Sequence, residues 1–561
     1  NVGAFLSYRT RANESIEVKV GLSYVGLEGA RANLEAEIAG WDFEAVRARA
    51  RAVWSGWLER IRIRDPSEDH KTIFYTALYH TLLSQYIAQD VDGRYFGMDG
   101  EIHVAEGFDF YPSFFSWDTY RSAHPLLTLV APGNVSHMVR SIVAKAEHYG
   151  WLPAQHYRNR YGQGMVGDHL VPIVVDAYVK GIRDFDVDGV YEAMRRKALE
   201  LPPPPLPASA ARPGLTHYTT LGYAPCDKTT ESVANTLEMA YDAWCLAQLA
   251  EALGRTEDHE LFLERAAYYR NVYDRETRFM RPRNADGSWL EARDGRPHEI
   301  VRAGDHSYYR YFDPLLVGRR PHRHYAESNA WQYLWSVQHD VHGLIGLLGG
   351  PEAFVERLDT FFTMPPTITP PKYVGVVGTI GQYVHGNQPS HHVAYLYNYA
   401  GTPWKTQDMV RRVMTRLYRT GPGGLCGNED MGSLSSWYNL SALGFYPVTP
   451  GSTGYVIGSP LFQEATIDLG DGKTFVITAR DNTPERLAKV LGPHQSSGLL
   501  PAYPLGSDLT KQEMALGASL RKVKELSEEP GSFIAAAFKA VLHHADEDAA
   551  RPYLERIHLE H

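Results

Sequence analysis

A chain of 561 residues, 44% hydrophobic and 22% charged, can bury an extensive core; it is too long for an ordinary compact domain but not for a large helical barrel. Its formal net charge of -10, with no long basic run, argues against nucleic acid as the main partner, because phosphate binding needs clustered Lys and Arg. No apolar run of about 18 residues is present to span a membrane, and Cys226, Cys245 and Cys426 are too scattered for a disulfide framework or a zinc motif.

Residues 1–28 alternate as strands, with Ile16, Val18 and Val20 on one side. One or two strands cannot stand alone, so they are expected to complete a sheet begun upstream or to pack on the main domain. The chain opens Asn1-Val2-Gly3 without Met or signal peptide, as if upstream residues had been removed. A connecting helix is predicted over 29–64, where Trp41, Phe43, Val46, Ala50, Trp54 and Trp57 recur at roughly helical spacing.

From 65 to 446 the pattern is helical, with segments around 136–149, 170–182, 261–273, 330–347, 351–362, 391–399 and 405–418. Val233, Leu237, Ala240, Tyr241, Trp244 and Ala247 mark another. The expected fold class is mainly α, an α/α toroid of helix pairs with flanking β elements, since no fixed period supports an open solenoid. After Pro447 a small β region is predicted to about 485, and residues 486–561 read as partly helical, with Leu516, Leu520 and Val523 on one face.

Four loops between helices carry the residues able to do chemistry. Ser116-Trp117-Asp118-Thr119 sets a carboxylate beside an indole, and Glu327 precedes the helical stretch at Ala330. His385-Gly386-Asn387-Gln388-Pro389-Ser390-His391-His392 combines a Gly-Asn turn with two histidines, while Gly427-Asn428-Glu429-Asp430 holds adjacent carboxylates between glycines. Each has a plainer role open to it: Asp118 as a helix cap, Glu327 as a helix-start residue, and the 427–432 turn as an acidic cap. Adjacent histidines point to different sides of a helix, which argues against a zinc pair.

These motifs, in order with Phe74-Tyr75-Thr76-Ala77-Leu78-Tyr79-His80, Asp92-Gly93-Arg94-Tyr95 and His339-Asp340-Val341, resemble glycoside hydrolase family 92, the calcium-dependent inverting α-mannosidases. The resemblance implies an N-terminal β-sandwich joined to an (α/α)6 barrel, a mannose-containing glycan substrate, and a secreted or periplasmic location. It implies Glu327 as general acid and Asp430 as water-activating base, since neighbours in sequence cannot readily straddle a sugar ring. Asn428 and Glu429 would hold the water or the metal's outer shell. Trp117, Asp118 and one of His391 or His392 would bind mannose hydroxyls, and Asn387 and Gln388 would ligate Ca2+. The family usually has Glu where this chain has Gln388, and Gly where it has Ser328. Two alternatives follow: a mannosyl-phosphate uncapping hydrolase, in which the leaving phosphate tolerates a missing acid, and a catalytically silent mannose-binding protein.

Overall fold

The computed structural model describes residues 6–479, except 154, 158–159, 163–164 and 374; the expected segment 486–561 and the end of the β region lie outside these. The body is mainly helical. The segment predicted as strands forms no ladder among the described residues, and Ile16, Val18 and Val20 are exposed. The predicted connecting helix is two helices, Leu27–Glu37 and Phe43–Leu58, followed by a strand, Ile61–Arg64. Gly40 falls in the break, and the Asp42 carboxylate starts the second helix by accepting from the Ala45 amide at 2.9 Å.

That strand joins the β region after Pro447. Ile61–Arg64 pairs antiparallel with Glu464–Gly470, which pairs with Lys473–Thr478, and Ile61, Ile467 and Phe475 lie in register on the buried face. The short strand was illegible because Arg60, Arg62 and Arg64 dilute its two isoleucines.

Between these flanks the predicted helices are largely found, as Pro132–Tyr149, Leu170–Val179, Pro351–Thr363 and Pro403–Leu417, with 3-10 turns at Val393–Ala400. The stretch 330–347 is not one helix but two, Ala330–Tyr333 and Val341–Leu348. Asp340 restarts it by accepting from the Gly343 amide at 2.8 Å. The helix Val187–Leu199 was not anticipated.

Ser232–Ala252 is buried on almost every side, its polar Asn235, Glu238 and Asp242 included, and packs against Thr256–Ala266 and Leu170–Val179. Glu68–Leu83 packs against Ser433–Leu443, so the beginning and end of the helical body meet.

A buried ionic network ties Ser232–Ala252 to its neighbours. Asp168 faces Lys197 at 3.2 Å and Arg212 on its other oxygen, and its amide donates to Asp242 at 2.8 Å. Burial pushes the Asp168 carboxyl up, but the two cations outweigh it and hold it below its ordinary range. Removing one member strands the others without solvent. Asp168→Ala is therefore expected to cost about 3–5 kcal/mol, read as a lower urea midpoint with unchanged slope.

Candidate active site

Three loops are laced together by side-chain amides. Asn329 and Gln332 form a reciprocal cap, fixing the backbone just after Glu327, and both bind Gln382, Asn329 Nδ2 donating to its side-chain oxygen at 3.0 Å and Gln332 Nε2 to its carbonyl at 3.1 Å. Asn387 Nδ2 donates to the Glu327 carbonyl at 3.2 Å, and Gln388 Nε2 donates to Asp430. The loops of Glu327, Asn387-Gln388 and Asp430 thus form one unit. A β-carbon on Gly427 would lie 2.4 Å from Gly386 Cα, so only glycine lets the last two loops cross.

Asp118 joins from a fourth element, the single turn Ser116–Thr119, whose Asp118 carbonyl accepts from Ser433 Oγ at 2.9 Å. Its buried carboxyl is driven well above its ordinary range by burial and then by the charge of Asp430, with Glu327 adding to the rise and Arg121 and His169 opposing it. Burial also raises Glu327, against the pull of Arg323 and Arg320 and with a push from Asp430. Asp430 is raised by burial and partly restrained by the Gln388 amide. Three desolvated carboxyls therefore feel one another, an arrangement that favours a proton or a cation among them.

The backbone is strained at the same place. Of eight non-glycine residues with left-handed φ among those described, Glu231, Glu327, Asp430 and Met431 belong to this region, at 53°, 54°, 50° and 52°. Each costs roughly 1–2 kcal/mol, which is retained only where the surroundings over-determine it.

The other expected site residues divide. Trp117 is buried beneath the Arg121 guanidinium, which lies 5.4 Å from its ring. Asn428 is exposed. Glu429 is turned onto the following helix, its carboxylate accepting from the amides of Gly432 and, at 3.2 Å, Ser435. His391 and His392 lie deeper, donating from Nε2 to the carbonyls of His385 at 3.0 Å and Trp335 at 2.7 Å. Burial pushes them down to about 3 and about 4, so both are neutral. As placed they tie backbone segments together, and His391 has no exposed surface.

Sequence reasoning passed over a second set of charges. Glu231 binds Arg323 and, at 3.1 Å, Arg320. Behind Arg121, His169 sits between Glu238 at 3.2 Å and Asp242 at 3.3 Å. Burial lowers His169, but the two carboxylates win and raise it to about 9, so a buried imidazolium faces the site. The cluster Arg319-Arg320-Pro321-His322-Arg323 was a visible signal; Glu231 had none, because its partners lie some ninety residues away.

A cavity of about 860 Å³ opens at Glu327, lined by Arg319, Arg320, Arg323, Lys372 and Tyr373 together with apolar residues that include Ile368, Val376 and Val377. Its volume suits a small ligand.

The glycosyl hydrolase family 92 catalytic domain matches residues 29–492. A family GH92 α-mannosidase from Bacteroides thetaiotaomicron, solved in complex with mannoimidazole, is 37% identical with a TM-score of 0.73, covering 82% of this chain and 57% of that one. A family GH92 inverting mannosidase from the same organism is 35% identical with a TM-score of 0.71, covering 82% and 60%. An uncharacterized secreted glycosidase of Arthroderma benhamiae is 27% identical over 501 residues, 83% of this chain and 55% of the relative. The chain thus spans somewhat more than half the length of the relatives it matches, and it belongs to glycosyl hydrolase family 92.

Proposed function

We propose that the protein is an exo-acting α-mannosidase that removes terminal mannose with inversion and needs calcium. The reading includes an (α/α)6 arrangement of the helical body and a secreted or periplasmic location, supported by the mainly helical body with its structural likeness to GH92 mannosidases and by the naming of one relative as secreted. The observation that carries it is the pair Glu327 and Asp430: carboxyls on separate loops, both desolvated, both on strained backbone, and linked through Asn387 and Gln388.

Inverting hydrolysis needs one carboxyl protonated and the other ionised. Glu327, raised by burial, holds the proton that passes to the glycosidic oxygen as the bond to C1 breaks. Asp430, raised by burial with the Gln388 amide restraining that rise, takes a proton from water as that water attacks C1 from the opposite face. Asp118, whose carboxyl burial drives well above its ordinary range, can when protonated donate to a sugar hydroxyl.

The chemistry of the donors suits a hard cation, since Asn387 and Gln388 carry amide oxygens and Asp430 a carboxylate beside them, although in the structure the amide nitrogens are the atoms turned to the Glu327 carbonyl and to Asp430. Asn387 and Gln388 would hold calcium there, and the ion would supply positive charge that orients and polarises the bound sugar's hydroxyls.

The test is the anomer of the first product. Proton NMR of methyl α-mannoside hydrolysis should show β-mannose first, with turnover lost on chelation and restored by added calcium. First release of α-mannose would remove the inverting mechanism. Binding of mannose without turnover, with calcium present, would identify a silent binding protein instead.

A further inference from the structure

The Asp92-Gly93-Arg94-Tyr95 motif opens a hairpin in which Arg94–Phe96 pairs antiparallel with Ile102–Val104 and Tyr95 lies opposite His103. Asp99 sits in its turn, held by the Glu101 amide, which donates to Oδ1 at 3.1 Å, and its two carboxylate oxygens lie 3.1 and 2.9 Å from His103 Nε2. A carboxylate and an imidazole four residues apart are thereby brought into contact. A β-carbon on Gly97 would lie 2.5 Å from Asp99 Oδ1 and 2.6 Å from His103 Cδ2, so glycine leaves room for the pair. A third donor arrives from a separate element. His148 stands in the last turn of Pro132–Tyr149, and its ring lies 3.6 Å from that of His103 with 15° between their planes. Tyr95, buried and stacked on Phe110 at 3.8 Å, has its ring 5.8 Å from His103 and 5.9 Å from His148. Both imidazoles thus rest on packed rings, which limits the entropy lost on fixing them.

One donor atom from each of Asp99, His103 and His148 lies within 4.8 Å of the others, and no other three His, Cys, Asp or Glu side chains converge in this way among the described residues. The plainer reading is a His-Asp pair with a second ring stacked on it. That accounts for His103 and Asp99 but not for His148, whose Nδ1 is closed off from solvent and has no hydrogen-bond partner among the described residues. A polar nitrogen left so carries a desolvation cost that a bond to a cation removes. Two imidazoles and a carboxylate are ligand types of zinc, whose tetrahedral geometry sets donors about 3.3 Å apart, so modest side-chain rotation closes the site. Calcium, which surrounds itself with oxygens, is poorly served by two ring nitrogens.

We infer that Asp99, His103 and His148 bind a divalent zinc ion, with a fourth position left to water, and that the ion staples the 94–104 hairpin to the end of Pro132–Tyr149. The site stands apart from the Glu327 and Asp430 loops and does not depend on the mannosidase reading.

Calorimetric titration of the full chain with zinc chloride tests it, with calcium in excess so that any oxygen-lined site is already filled. The wild type should take up one equivalent of zinc that His148→Gln lacks and that Asp99→Asn binds at least about tenfold more weakly. Zinc should also raise the thermal midpoint of the wild type more than that of either variant, because an ion that binds the folded state alone stabilises it. Asp99 is exposed, so Asp99→Asn keeps the test decisive should the histidine variant fold poorly. Cobalt(II) in place of zinc should give the wild type the strong visible absorption of tetrahedral coordination, absent from His148→Gln. Zinc stoichiometry and affinity equal in the wild type and both variants, or only the weak absorption of octahedral cobalt in the wild type, overturns the inference.

Discussion

Glu327→Gln is expected to lower kcat on a sugar-linked α-mannoside by about 10²–10⁴-fold, with little change in KM, because the variant keeps the side chain's shape and loses only its transferable proton. A substrate whose leaving group departs without protonation, such as a mannosyl fluoride or a mannosyl phosphate, should lose far less. A uniform loss on both kinds of substrate would show that Glu327 does not act as the acid. Stability should move the other way. The folded state holds the Glu327 carboxyl above its ordinary value of 4.5, so it binds that proton more readily than the unfolded chain does. Its contribution to stability therefore falls as pH rises from 4.5 through the raised folded value, and above that window the ionised side chain is a net cost. Glutamine removes the cost, so the variant's thermal midpoint at neutral pH should rise while activity collapses. Damage to the fold would lower both.

What the sequence exposed, and what it hid, follows from the range of the interactions involved. Glu327, the Asn387-Gln388 turn and Asp430 were legible because each sits in a short segment with Gly, Asn or Pro, where local backbone needs show in composition. The long helices, Ser232–Ala252 among them, were legible from their periodicity. The bend that parts Ala330–Tyr333 from Val341–Leu348 was not, because Leu334, Trp335 and Val337 carry apolar positions into it and the Asp340 cap marks the restart. Nor was the pairing of Ile61–Arg64 with Glu464–Gly470, a contact across some four hundred residues that no local pattern encodes. Glu231 illustrates the same limit within the site: its left-handed backbone and its two arginines exist only once the loops meet. Conversely, the two adjacent histidines drew attention by composition, yet the structure spends them on backbone carbonyls.

Asp430→Asn should be as damaging as the acid variant and distinguishable from it. Asparagine cannot take the proton from water, so kcat should again drop by about 10²–10⁴-fold. A small anionic nucleophile that needs no deprotonation should restore turnover: azide, attacking C1 in place of water while Glu327 still protonates the departing oxygen, would yield β-mannosyl azide. The acid variant should gain nothing from azide on a sugar-linked substrate, because its deficiency lies on the leaving side. The pH profiles separate the two further. Asp430 must be ionised, so the wild-type rate rises as pH passes its folded value, which burial has lifted above 3.8. Glu327 must be protonated, so the rate falls as pH passes its folded value, lifted above 4.5. The active window of kcat/KM therefore lies above the range of two ordinary carboxyls. Asp430→Asn should erase the acidic limb and keep the alkaline one, whereas Glu327→Gln should do the reverse. If both variants retained both limbs, the titrating pair would have to be sought elsewhere, with Asp118 the first candidate, since it is the third carboxyl in the same field and burial drives it higher still.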